Sequence, residues 1–292
     1  MFRIAGVGEI LWDIFPDGPR FGGAPANFSC STAELARDKA RVKMVSAVGK
    51  DDLGRKALNA LQERGVETDA VQQSSQDTGS VLVELDSAGV ATYRFAENTA
   101  WDQLAWSDQL EEISENCDAV CFGTLGQRSQ CSRETIRRFV SSIPDSALKI
   151  FDINLRQPFY DDQLIRDSLE LANVLKLNDD ELKLLARQFN ADGSTREVIE
   201  HIARQCQLNV VAVTRGEQGA IIWREGAVSD LPGREVQIAD TVGAGDAFTA
   251  AMTLGLLQDD DTDTVNQRAI ATASYVCTQS GATMSMPERL RF

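Results

Sequence analysis

The chain holds 292 residues, with 44 Asp+Glu against 29 Lys+Arg, a net charge of −15, and one histidine. So acidic a chain repels a phosphate backbone or an anionic lipid surface, which argues against nucleic-acid or membrane partners. The single His201 cannot build a multi-histidine metal cage, and a catalytic base is expected elsewhere. No apolar run reaches the ~18 residues of a membrane span, and Glu9 and Asp13 interrupt the stretch that a secretory signal would keep apolar. The six cysteines (Cys30, Cys117, Cys121, Cys131, Cys206 and Cys277) are scattered, with no second pair or nearby His to complete a zinc set. They read as free, mostly buried thiols of a reducing compartment, and the protein as cytoplasmic.

In chain order, short continuously apolar runs at 3–7, 43–48, 118–123, 148–153, 173–177 and 208–213 predict strands buried on both faces. Helix-period stretches lie between them. The clearest, 52–64, sets Leu53, Ala57, Leu58 and Leu61 on one stripe before Gly65 stops it, and another, 196–206, carries His201. Strand–helix alternation predicts an α/β fold, a mostly parallel central sheet between helices. One region departs from it: 80–85 and 90–95 alternate around turn chemistry at 86–89, a β-hairpin that could be decoration, a dimer contact or a lid. Asp259, Asp260, Asp261 and Asp263 read as a solvated helix start. No linker divides the chain, so residues 1–292 are expected to form a single domain.

The familiar phosphate loops are missing. Nothing matches G-x-x-x-x-G-K-[ST], and Gly6-Val7-Gly8 lacks the third glycine of a dinucleotide fingerprint. The informative segment is Asp240-Thr241-Val242-Gly243-Ala244-Gly245-Asp246. Its small residues let successive backbone N–H groups turn toward one point, and the helix that follows aims its positive end there, which makes an anion hole. An Asp at its mouth suits a group that acts on a substrate proton. It suits equally a glycine-rich helix start with an Asp near the cap.

That segment resembles the D-T-x-G-A-G-D signature of the ribokinase-like (PfkB) carbohydrate kinases at every fixed position. Gly22-Gly23-Ala24-Pro25-Ala26-Asn27 is similar to the family's G-G-x-x-x-N, and Gly49-Lys50-Asp51-Asp52-Leu53-Gly54 to its G-x-D-x-x-G. Asn178-Asp179-Asp180-Glu181 resembles its N-x-x-E, and Thr214-Arg215-Gly216 with Gly219 its nucleotide segment. The motifs come in the family's order over nearly the whole chain. The resemblance implies a ribokinase-like fold with a small β-lid, formed by about 12–21 and 80–100. It also implies that such lids pair two subunits into a homodimer.

It further implies an ATP-dependent sugar kinase in which Asp246 is the general base and Gly243, Ala244 and Gly245 bind the phosphoryl oxygens through backbone N–H groups. Asp13, Gly22, Gly23 and Asn27 would hold the sugar, with Arg156 and, more loosely, Arg94 and Trp101 nearby. Asn178 and Glu181 would hold Mg²⁺ through water, although an Asn cap with a capping-box Glu fits the same residues. Surface exposure or salt bridges are the plain alternatives for Asp13 and Arg156. A K⁺ ion would sit among Asp240, Val242, Gly281 and Ser285. Gly8-Glu9-Ile10-Leu11-Trp12-Asp13, Gly22–Phe28, Ala100-Trp101-Asp102 and Phe151–Arg156 resemble the fructokinase-like members and point to D-fructose, phosphorylated to fructose 6-phosphate. A kinase of ribose, 2-keto-3-deoxygluconate or adenosine, or a non-catalytic sugar-binding regulator, is the alternative. The chain departs from the family at Leu35–Ala40, which lacks the usual glycine after the first long helix, so that turn must be built differently. A polyanion such as ATP would then be bound in a negative field by amides, a helix end, Mg²⁺ and a few cations such as Arg156 and Arg215.

Overall fold

The computed structural model describes residues 1–85, 91–156 and 158–292; the expected turn at 86–89 lies outside them. The first third contains β1 (Phe2–Val7), β2 (Leu11–Phe15), β3 (Gly18–Gly22), α1 (Ala24–Ala36), β4 (Ala40–Gly49), α2 (Asp52–Glu63), β5 (Val71–Ser74), β6 (Gly79–Leu85) and β7 (Ala91–Phe95). The middle adds α3 (Asp108–Glu115), β8 (Ala119–Phe122), α4 (Gln130–Ser141), β9 (Leu148–Asp152), α5 (Asp162–Leu171), β10 (Val174–Asn178), α6 (Asp179–Gln188) and α7 (Thr195–Gln205). The last third contains β11 (Val210–Thr214), β12 (Ala220–Arg224), β13 (Ala227–Leu231), α8 (Ala244–Leu257) and α9 (Thr262–Cys277).

Nine strands form one sheet in the order β13-β12-β11-β10-β9-β8-β1-β4-β5. It is parallel from β5 to β11, and β12 and β13 are added antiparallel at one edge. All six predicted strands fall inside it; β12 and the edge strands β5 and β13 were not foreseen. The continuous apolarity of the central strands follows from their two covered faces. In β8, Val120 and Phe122 pack with α3–α7, while Ala119 and Cys121 pack with α1, α8 and α9. Helix α8 is buried on every side from Ala247 to Leu256, which explains its lack of a polar face. No helix among the described residues is long and apolar enough to cross a membrane.

Helix α1 ends without a glycine because Arg37 itself takes the left-handed turn, at φ 45°, and β4 starts three residues before the predicted strand. The acidic run starts α9 as expected, with Asp261 accepting from the Thr264 N–H as N-cap. Three cysteines are buried, two half-buried and Cys131 exposed, all unpaired, so burial of the thiols is less complete than expected.

A second sheet, β3-β2-β6-β7, is built from the segments expected to form a lid. It ends at Phe95, short of the expected 100. Residues after it return to the body, where Trp101 is 2% exposed and Asp102 caps Thr99. Asp102 takes two bonds from the Arg128 guanidinium, at 2.8 and 2.7 Å, and that group lies 4.0 Å from the Trp101 ring centroid. Trp101 is therefore part of the lid's anchorage. Removing one partner of a buried ion pair strands the other charge. Asp102→Ala is expected to lower unfolding free energy by about 3–5 kcal/mol in urea titrations, with Asp102→Ala/Arg128→Met losing less than the sum of the two single changes.

Candidate active site

Strand β1 has β4 on one side and β8 on the other, so the sheet changes winding direction there and a crevice opens beyond the C-terminal strand ends. A cavity of about 520 Å³ occupies it, within the range of small-ligand sites. The body supplies its floor from the loops after β1, β8 and β9, and the lid supplies its roof through Leu11, Val81, Tyr93 and Phe95.

Two helix N-termini converge on this cavity. Helix α1 starts at Gly23, whose φ of 108° and close approach to the Glu9 carbonyl leave no room for a side chain. Helix α8 starts at Gly243, φ 80°, where a Cβ would come 2.8 Å from Ala282. Asn27 on α1 donates its Nδ2 to Asp246 Oδ2 on α8 at 2.9 Å, across 219 residues of sequence. Asn27 and Asp13, both expected at the sugar, line the same cavity; the Asn27 amide also holds the proposed base, and its Oδ1 has no partner among the described residues. Burial, then the charge of Asp152, pushes the Asp246 carboxyl up to about 6, while Asn27, Lys176 and Arg156 pull against the shift. An ordinary aspartate is a much weaker base.

The anion hole differs from expectation in one residue. The Ala244 N–H closes the turn on the Thr241 carbonyl at 3.3 Å. That leaves the N–H groups of Gly243, Gly245 and Asp246 without a backbone partner among the described residues. Next to them stands a cation that sequence reasoning missed, Lys176, which had been absorbed into an apolar strand. It is buried on β10, with Nζ 3.1 Å from Asp152 Oδ1, and Asp152 Oδ2 accepts from Thr249 Oγ1 at 2.9 Å. A Cβ at Gly245 would come 3.0 Å from that ammonium. Burial alone would push Lys176 down, but Asp152, Glu181 and Asp246 outweigh it and hold the group charged. Its only signal in the sequence is one lysine inside an apolar run. Asn154, at φ 37°, also lines the cavity unforeseen.

At the sugar end, Asp13 on β2 is half-buried in the cavity, its carboxyl pushed up by burial and pulled back by Arg156 and Arg20. Gly22 lies against it, so that a Cβ there would come 3.2 Å from Asp13 Oδ2. Arg156 is exposed at the rim, and its charge reaches Glu9, Asp13 and Asp246. Arg94 is not brought in. Strand alternation turns Tyr93 and Phe95 to the cavity and Arg94 to the outer face of the lid, 3.7 Å from Glu84.

Asn178 and Glu181 form the capping box of α6: Asn178 Oδ1 accepts from Asp180 and Glu181 N–H, and Glu181 Oε2 from Asn178 N–H at 2.8 Å. Glu181 Oε1 accepts from Leu155 N–H at 2.9 Å. Thr214, Arg215, Gly216 and Gly219 cluster at the end of β11, beside Asn178. The Arg215 guanidinium is paired with Asp230. Asp240 ties two turns together, accepting from Val242 N–H at 3.0 Å and Gly281 N–H at 3.2 Å. Ser285 does not join them: its hydroxyl accepts from Arg64 at 3.0 Å and its carbonyl from Tyr275 Oη at 3.3 Å.

Comparison with known proteins agrees with this geometry. The chain is 30% identical to a fructokinase of Klebsiella pneumoniae over 266 residues, covering 86% of this chain and 83% of that protein. It is 26% identical to a fructokinase of Escherichia coli over 305 residues, covering 97% and 95%. The solved fructokinase of Xylella fastidiosa with bound ATP superimposes with a TM-score of 0.84 at 25% identity, covering 98% of this chain and 95% of that one. The family described as pfkB family carbohydrate kinase matches residues 18–289, and with nearly the whole chain matched, the protein belongs to that family and is an ATP-dependent sugar kinase.

Proposed function

We propose that the protein phosphorylates D-fructose at its 6-hydroxyl, with Asp246 as the general base. The observation that carries this reading is the position of Asp246, at the meeting point of two helix N-termini and between the two ends of one cavity. Asp13, Gly22 and Asn27 lie at the polar, lid-covered end, and the free amides of α8 with Lys176 lie at the other. The similarity to fructokinases supports the choice of sugar.

The sugar hydroxyl would lie against Asp246, which takes its proton as the oxygen attacks the γ-phosphorus. Such a transfer is loose and dissociative, so positioning and charge stabilisation supply most of the acceleration. Charge gathering on the phosphoryl oxygens would meet the N–H groups of Gly243, Gly245 and Asp246, the positive end of α8 and the Lys176 ammonium. The lid, by covering the cavity with Val81 and Phe95, would keep water from competing with the sugar. Asn178 and Glu181 fit Mg²⁺ held through water. Glu181 is 5% exposed, and each of its oxygens accepts one protein N–H, so lone pairs remain for the ion's water shell. The metal, when bound, would offset phosphate charge.

Sugar-dependent ADP release across ketoses, aldoses and nucleosides tests the substrate, with D-fructose expected to give the highest kcat/KM. A higher value for ribose, a keto-deoxy sugar acid or adenosine replaces fructose, and sugar binding with no turnover removes catalysis. Asp246→Asn is expected to keep sugar and nucleotide affinity within several-fold while kcat falls by about 10² or more, measured by coupled assay. A K⁺ ion beside Asp240 would make the dialysed enzyme faster in K⁺ than in Na⁺ salts; equal rates remove the ion.

A further inference from the structure

The proton taken up by Asp246 must leave the site before the next turnover, and a second carboxyl stands where it could receive it. Glu9 follows β1 at the point where the sheet changes direction and is 3% exposed. Its Oε1 accepts from the Ala24 N–H at 3.2 Å, and its Oε2 has no partner among the described residues. Gly126 closes over that atom, since a Cβ there would come 3.3 Å from Oε2. Ala24 and Asn27 lie on the first turn of α1, so one turn of helix holds Glu9 by a backbone amide and Asp246 by a side-chain amide.

Both carboxyls also line a small cavity of about 10 Å³ under the floor of the main one. That is about the least space that holds one water. Thr124, Asp152 and Asn154 complete its polar wall, enough partners to fix such a water.

We propose that Glu9 is the positioning and relay residue for Asp246, receiving through a water in this small cavity the proton that Asp246 takes from the sugar hydroxyl. The inference rests on Asp246 being the base. The hydroxyl O–H bond breaks and its oxygen forms the bond to the γ-phosphorus. The bond from that phosphorus to the bridging oxygen breaks, and its electron pair leaves on ADP. The water gives one proton to Glu9 as it takes one from Asp246, and Glu9 releases its proton to solvent when the lid opens.

The electrostatics agree with a transfer between the two carboxyls. Burial, with a contribution from Asp246 and opposed by the backbone bonds and Arg156, pushes Glu9 up to about 7. Asp246, facing Asp152, Lys176, Asn27 and Arg156, stands at about 6. These values belong to the pair, and burial raises both carboxyls, so a proton can pass between them near neutral pH. The relay requires both groups ionised at the start, so kcat rises as pH rises through this range.

Glu9→Gln tests the proposal, because the amide can still accept from Ala24 N–H but cannot take up a proton. Expected is a kcat lowered about tenfold or more, with sugar KM within threefold. The acidic limb of kcat should lose its ionisation near 7 and move to or below about 6, since the charge of Glu9 no longer opposes that of Asp246. Wild-type kcat with an unchanged limb overturns the relay. So does a raised KM with an unchanged limb, which would mean that Glu9 only props α1. If Glu9→Gln fails to fold, Glu9→Asp is expected to keep the limb with lowered kcat, and unchanged kcat there overturns the relay too. Asp246→Asn, run alongside, tests the base separately: turnover retained in that variant removes the base reading, whatever Glu9 does.

Discussion

The hydrogen bond from Asn27 to Asp246 is the contact on which the site depends. It joins the first turns of α1 and α8, two helices that pack against each other under the sheet. Each helix start requires a glycine with positive φ; that of α1 gives its Ala24 N–H to Glu9, while that of α8 leaves the N–H groups of Gly243, Gly245 and Asp246 without a backbone partner among the described residues. A carboxylate buried between two such ends is tolerable because both dipoles favour negative charge there. Burial nonetheless raises its pKa, which is what a base acting near neutral pH needs. Stability and chemistry thus draw on the same geometry.

The charge of the site is arranged in the same economical way. A chain with a net charge of −15 is expected to handle a nucleoside triphosphate, yet few free cations face the cleft. Arg215 is tied to Asp230 and Arg128 to Asp102, both in structural pairs. Among the described residues, Lys176 is the lysine buried beside the α8 amides, kept protonated by Asp152, Glu181 and Asp246. A buried ammonium amid three carboxyls has a fixed position and no water shell to shed, so it can meet charge that develops during transfer. The surrounding acids also discourage stray anions, which leaves amides and a metal as the main means of binding.

Much of this was legible in the sequence, and for identifiable reasons. Strands with both faces covered must be apolar throughout, so β1, β4, β8, β9, β10 and β11 could be read from short runs. The edge strand β13 has one unpaired side and mixed composition, and it could not. Positions where only glycine fits, such as Gly23 and Gly243, gave motifs dense enough to match a family. Lys176 lacked that help, because a single polar residue in an apolar run reads as noise until its surroundings are known, and the matched segments around Glu9 and Asn154 gave no hint of what those two residues touch.

The sequence by itself determined the α/β class, the family and the glycine-rich start of α8, since each leaves a local mark of apolar period or of backbone conformation. Only the tertiary structure decided what those residues touch. Asn27 holds Asp246, Arg94 faces away from the cavity, Trp101 is buried beside the Arg128 guanidinium, and Ala244 spends its N–H within a turn. It also made Asp246, the proposed base, a buried group near 6. The reason is physical: hydrogen-bond partners and desolvation depend on which distant segments meet, and no local run of residues encodes that.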